Sequence, residues 1–351
     1  MKNIKILLRT VAALCVFTLL AVGIIRTDLS AVFEKAACAS VMSVIPEGFI
    51  MPYSESIKLP ENITDVTVNN IPDDLEEPPS ISVSVDETII GNIIKKTLSP
   101  YSANTSQSGV YLNNNTNAAV NIKKELEKPL DFSVAKNAEP QILIYHTHAT
   151  EGFMANESDY YTQSDEPRTT DTTKNIVAVG AVIAEQLKAA GYGVVHDVSL
   201  HDYPGYSGSY SRSAETITAT LKKYPSIKIA IDVHRDSITS GESDKVAPVV
   251  TVEGKEAAQV MLVMGSETGG IEDYPNWREN LRLALKLQYV FEKNYPQLAR
   301  SILLRSKKYN QDMLSGAILI EMGSDANTLE QALYSGELVG KSLVALLDSQ
   351  L

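Results

Sequence analysis

From about Ala138 onward, short apolar runs alternate with amphipathic stretches, and this alternation narrows the possible folds more than any other feature. Gln141–Tyr145 is a compact apolar run, which predicts a buried strand. Thr173–Ala190 has helical spacing and stops at Gly191, a residue suited to a helix C-cap. A strand at Gly193–Val198 and a helix at Ser211–Tyr224 follow. Lys228–Val233 is then a strand that delivers His234 at its carboxyl end. Ala257–Met264 is a further strand and Trp277–Tyr295 a long amphipathic helix. Ala317–Ile320 is a strand that delivers Glu321, and Thr328–Leu347 closes the series as a helix. Such a series predicts an α/β fold in three layers, a mostly parallel sheet flanked by helices on both faces. Ligands in these sheets bind at the carboxyl ends of strands, where His234 and Glu321 fall.

The region before Ala138 is of another character. Lys2, Lys5 and Arg9 precede an uncharged run from Val11 to Ile25, closed by Arg26 and Asp28. A basic start followed by an apolar stretch predicts a membrane anchor over residues 1–30 with a short cytoplasmic tail. The run is short of the roughly 20 residues of a full span, but Ile6–Leu8 extend it if Arg9 snorkels. Ala36-Ala37-Cys38-Ala39 leaves cleavage as the alternative to a retained anchor. The positive-inside rule then puts the rest of the chain outside the cytoplasm. Residues 31–137 are rich in Asn, Ser, Thr and Pro and predict a largely irregular extracytoplasmic tether, with a few short strands such as Ile81–Val85. Residues 138–351 form the catalytic region. With 31 Lys+Arg against 43 Asp+Glu, the net charge of -12 argues against a nucleic-acid binder and gives no attraction to anionic lipid. Cys15 and Cys38 both lie outside the catalytic region, so a Cys nucleophile, a thiolate zinc site and a domain disulfide are excluded there.

Three segments carry candidate chemistry. In Tyr145-His146-Thr147-His148-Ala149-Thr150-Glu151, histidines two apart in extended backbone point the same way and can converge on one ion. Glu151 reaches the same point if the chain turns after the strand. Ile229-Ala230-Ile231-Asp232-Val233-His234-Arg235-Asp236 carries a third histidine to a strand end, with charged neighbours able to orient it. In Gly316-Ala317-Ile318-Leu319-Ile320-Glu321, a carboxylate follows four apolar residues. Its desolvation there raises its pKa and suits it to take a proton from water and pass it to a leaving amine. His/Glu ligands with a catalytic Glu suit zinc. His201 is a candidate substrate contact or transition-state donor, and His196, between apolar neighbours, reads as structural. Asp171 is either a metal ligand or a helix cap.

At these segments the chain resembles stage II sporulation protein P, a family of anchored cell-wall hydrolases of endospore-forming bacteria. The resemblance rests on Tyr145-His146-Thr147-His148 through Glu151, on Ser209-Tyr210-Ser211-Arg212-Ser213 and on the strand ending at His234. The segment Glu321-Met322-Gly323-Ser324-Asp325-Ala326-Asn327-Thr328-Leu329-Glu330 is also similar to the signature of zinc N-acetylmuramoyl-L-alanine amidases. It covers roughly Pro140 to the C-terminus and implies a zinc amidase-like fold. It implies Zn2+ held by two or three of His146, His148 and Glu151 together with His234, with Glu321 as general base. In the wider amidase group the acidic ligand opens the first helix, where this chain offers Asp171; Glu151 is the closer choice. The activity implied is hydrolysis of the N-acetylmuramoyl-L-alanine amide of peptidoglycan during engulfment, with possible endopeptidase action on cross-links. A zinc endopeptidase alone, or an inactive wall-binding scaffold, are the alternatives. Arg212, Arg235 and Tyr203, Tyr206 and Tyr210 are expected to contact the muropeptide. The implied partner is the sporulation lytic transglycosylase, stage II sporulation protein D, and the implied location is the septal or engulfing membrane.

Overall fold

The computed structural model describes residues 88–349; the expected anchor over 1–30 and Ile81–Val85 lie outside them. Among the described residues no helix is long and apolar enough to cross a membrane. The strands are β1 (Ile89–Lys96), β2 (Thr105–Gln107), β3 (Val110–Asn114), β4 (Pro140–Tyr145), β5 (Tyr160–Thr162), β6 (Gly193–His196), β7 (Ile229–Asp236), β8 (Thr239–Ser240), β9 (Asp244–Val252), β10 (Lys255–Ala258), β11 (Val260–Gly265), β12 (Ile302–Arg305) and β13 (Ala317–Ser324). The α-helices are α1 (Ile122–Glu127), α2 (Ile176–Ala189), α3 (Ser209–Lys223), α4 (Trp277–Asn294) and α5 (Leu329–Ser349).

The main sheet runs β2-β3-β12-β11-β13-β7-β4-β6. Its pairs are parallel except β2/β3 and β11/β13, so it is mostly parallel, as the strand–helix alternation implies. Side chains alternate across each strand. On β4, Ile142 and Ile144 enter a large core with Ile183 and Leu187 of α2, Leu285 of α4 and Leu343 of α5. Leu143 and Tyr145 enter a second core with Ile217 of α3. β7 and β13 divide likewise, Ile231 and Ile320 to the large core and Ala230 and Ala317 to the other. The continuous apolar runs thus mark strands buried on both faces, and the helices covering them make three layers.

Residues 88–137 correct the tether reading. β2 and β3 extend the main sheet beside β12, and Ile122 of α1 belongs to the large core. β1 enters a smaller sheet, β10-β9-β1-β5. The polar composition conceals these elements because each buries at most two residues, and the strands β1 and β3 depend on backbone pairing with strands far along the chain. The expected strand Ala257–Met264 is two strands, β10 and β11, in different sheets. Gln259 makes the break: it is buried, and its amide bonds to both the N–H and the carbonyl of Leu98 and to the carbonyl of Gln297. The small sheet then packs Ile93 and Ala247 against Met154 and Ala326, just beyond two of the candidate site segments.

Candidate metal centre

β4 ends at Tyr145 and the chain turns at once, so His146 and His148 do not share a direction. His146 keeps the alternation of Ile142 and Ile144 and points into the layer of α2. Its Nδ1 lies 2.9 Å from the carbonyl of Val233 and its Nε2 2.9 Å from Nε2 of His196. Burial and the neighbouring His196 push its pKa down to about 3. The reading of His146 as a ligand is therefore corrected, because both ring nitrogens are engaged away from the other donors.

His148, carried round by the turn, meets Glu151 and His234, and these are the side chains that converge among the described residues, with donor atoms within 4.8 Å of one another. Nδ1 of His148 lies 3.4 Å from Glu151 Oε1, and Nδ1 of His234 lies 3.7 Å from Glu151 Oε2. All three are buried. Donors about 2.0–2.1 Å from a tetrahedral ion stand about 3.4 Å apart, and the two contacts of Glu151, at 3.4 and 3.7 Å, lie near that separation. Two imidazoles and a carboxylate are also a ligand set of catalytic zinc with a position left for water.

The outward nitrogens are held as ligand histidines usually are. Nε2 of His148 is 3.1 Å from Ser209 Oγ at the start of α3. Nε2 of His234 is 3.0 Å from Asp232 Oδ1, an ion contact off the line of a hydrogen bond. Asp232 is itself fixed by the N–H and hydroxyl of Thr147, at 2.8 and 2.7 Å. The backbone N–H of Arg235 donates to Glu151 Oε2 at 2.8 Å. Burial works to raise the Glu151 carboxyl, but the charge of His234 and the hydrogen bonds of His148 and His234 outweigh it and hold the group well below its usual range. Burial works against charge on His234 too, yet the carboxylates of Asp232 and Glu151 raise its pKa well above 6.5. The site thus favours positive charge between its carboxylates, which a cation bound by the three donors supplies.

Glu321 sits beside this group, opposite His234 in the parallel pairing of β13 with β7. It is buried, and its Oε2 has no hydrogen-bond partner among the described residues. Burial, and after it the negative charge of Asp236, push its pKa up to about 8. A buried carboxyl with one oxygen unpartnered can hold and release a proton at that atom.

The remaining candidates serve the framework. Asp171 is exposed and caps Thr173, accepting from its N–H at 3.0 Å and its hydroxyl at 2.6 Å, which corrects its reading as a ligand. His201 is buried between the carbonyl of His146 at 2.7 Å and the hydroxyl of Thr216 at 2.8 Å. The Arg212 guanidinium donates to the carbonyls of His201, Gly205 and Ser207. Arg235 donates to the carbonyls of Gly152 and Pro167. The two arginines spend their guanidinium groups on backbone carbonyls and His201 has both ring nitrogens engaged within the fold, which corrects their reading as substrate contacts. Tyr206 and Tyr210 are ring neighbours of His148, at 4.6 and 5.6 Å between centroids, while Tyr203 is exposed. Asp202 and Arg168 are supporting residues that motif reading passes over, whereas Ser209 opens a segment that carries the family resemblance and Asp232, two before His234 on a strand, shares its face.

The stage II sporulation protein P family matches residues 60–343. The stage II sporulation protein P of Bacillus subtilis (strain 168) is 27% identical over 201 residues, 54% of this chain and 47% of that protein. The chain thus matches about half the length of this curated relative. Among solved structures, the N-acetylmuramoyl-L-alanine amidase AmiC2 of Nostoc punctiforme aligns with 60% of this chain and 99% of its own, at 11% identity and a TM-score of 0.36. The CwlD amidase from Clostridioides difficile, in complex with the GerS lipoprotein, aligns with 60% and 98%, at 11% identity and a TM-score of 0.35. Neither likeness bears on the site. The family match does, for it spans the metal trio and Glu321 together, and by it the chain belongs to the stage II sporulation protein P family.

Proposed function

We propose that this chain is a zinc-dependent peptidoglycan hydrolase of sporulation that cleaves the N-acetylmuramoyl-L-alanine amide, with His148, Glu151 and His234 as metal ligands and Glu321 as general base. The observation that carries the reading is the meeting of three buried donors within 4.8 Å of one another beside a buried carboxyl on the adjoining strand whose Oε2 has no partner among the described residues. Bound there, zinc supplies Lewis acidity toward the attacking water and the scissile carbonyl. Glu321 takes the proton of the attacking water on Oε2 and delivers it to the leaving amine of the stem peptide. A carboxyl with a raised pKa is the stronger base once ionised, so its burial serves the step. Ser209 and Asp232 lie against the outer Nε2 atoms and orient the two imidazoles with Nδ1 facing the site. Residues 1–30 anchor the chain, which places this chemistry outside the cytoplasm at the engulfing membrane, with stage II sporulation protein D as partner.

Glu321→Gln keeps the shape of the carboxyl and removes its basicity. Digestion of purified sacculi, read by mass spectrometry, should fall by about 100- to 10,000-fold while bound zinc is unchanged. Normal digestion by this variant removes Glu321 from the role. Release of intact stem peptides from the lactyl group indicates the amidase; cut cross-links with stem peptides retained indicate an endopeptidase instead.

A further inference from the structure

Arg168 lies in the segment after β5 and matches none of the chemical motifs, yet its contacts reach both sides of the metal-ligand turn. Its backbone is paired with Glu151 in an isolated antiparallel bridge. On either side of it, the N–H of Thr169 donates to Thr150 and the N–H of Gly152 to Pro167, at 2.8 and 2.9 Å. Nη1 of Arg168 donates to Thr150 Oγ1 at 3.1 Å and to Asp202 Oδ2 at 2.7 Å. Asp202 is wholly buried and also accepts from Thr150, from its N–H at 3.1 Å and from its hydroxyl at 2.6 Å. Thr150 is the residue that joins the His148 end of the turn to Glu151.

The guanidinium reaches the other ligand through a ring. Its Cζ lies 4.7 Å over the centroid of Tyr206, and the same ring stacks on His148 at 4.6 Å with 27° between planes. A planar cation over an aromatic face is a contact lysine reproduces poorly. One side chain therefore lies against the ring that stacks on His148 and, through Thr150 and Asp202, holds the backbone that leads into Glu151. Its side chain is about one-third exposed, so the buried Asp202 carboxylate and the stack, rather than burial of Arg168 itself, set its orientation.

We propose that Arg168 is a positioning residue for the metal centre, holding His148 and Glu151 at ligand spacing in advance of the ion; this rests on the reading of the site as a zinc centre. Loss of such an outer partner weakens metal binding by about 10- to 100-fold. Arg168→Ala leaves a buried carboxylate unpaired and is expected to unfold, so two milder variants are used. Arg168→Lys keeps a cation beside Asp202 and loses the planar stack, and Tyr206→Leu removes the ring between Arg168 and His148. The full chain and each variant are titrated with zinc against a chromophoric chelator, and their cobalt(II) forms are compared by visible absorption. The metal-free melting temperature serves as the control for a purely structural role. Expected are a dissociation constant for zinc raised about 10- to 100-fold and altered cobalt bands in both variants, with the metal-free melting temperature near that of the parent. Parental affinity and spectrum in both variants overturn the inference, as does a loss of affinity that only follows a fall in metal-free melting temperature. If the parent chain itself binds no zinc, the reading of the site fails and takes this inference with it.

Discussion

His146 has both ring nitrogens occupied inside the protein, by the Val233 carbonyl and by His196, whereas His148 turns Nδ1 toward Glu151. The difference arises in the two peptide bonds between them, where extended backbone gives way to a turn. His148→Asn should therefore abolish stoichiometric zinc binding, measured by elemental analysis after gel filtration. His146→Asn should retain the metal and lose about 1–3 kcal/mol of stability to denaturant, the cost of leaving buried polar partners unmet. The reverse pattern would exchange the two assignments. Glu151 and Glu321 show how environment separates two buried carboxyls. The first faces two imidazoles and is held low; the second is raised to about 8 by burial and then by Asp236.

At the scale of elements, the junction of β4, β6 and α2 is tightly built. Gly180 of α2 passes over the β4 end so closely that a Cβ there would lie 2.5 Å from His146 Cε1. Glycine is required here by space, since its backbone is ordinary helix. The same packing shuts water from two histidines: burial first, then a like neighbour or Lys188, lowers His146 to about 3 and His196 to about 4. In the unfolded chain both take protons near pH 6.5. Between these limits the unfolded state binds more protons, so the stability they contribute is complete above pH 6.5 and is lost as pH falls through about 4 and then 3. Denaturant melts of the metal-free protein at pH 7 and pH 4.5 should show this loss, and His196→Gln should reduce it. An equal loss in that variant would assign the acid sensitivity elsewhere.

The whole molecule depends on chain that composition alone assigns to a linker. β2, β3 and α1 complete the main sheet and large core, and Ile93 of β1 packs with Met154, three residues past Glu151, and Ala326, five past Glu321. A truncation that begins at Ala138 exposes Leu304, Met154 and the edge of β12. It should melt well below a truncation that begins at Thr88, and should aggregate through the bared strand edge. Equal melting temperatures by calorimetry would return residues 88–137 to the status of a tether.

Local order was legible wherever burial was two-sided. The runs ending at Tyr145, Val233 and Ile320 read as strands because they are predominantly apolar, and each proved to be a central strand of the main sheet. They also carried His234 and Glu321 to the correct edge, so two members of the site follow from pattern alone. The meeting of Glu151 with His148 and His234 followed from a turn that the sequence allowed and did not impose. What sequence pattern could not supply was direction after a strand ends. There, the choice between His146 and His148 depends on Gly180 and His196, 34 and 50 residues away along the chain. Arg168, Asp202 and Ser209 likewise gain their roles from neighbours distant in sequence. Periodicity is a local property of the chain and fixes which face of an element is apolar. Convergence of polar side chains depends on contacts between elements, and only the tertiary fold decides it.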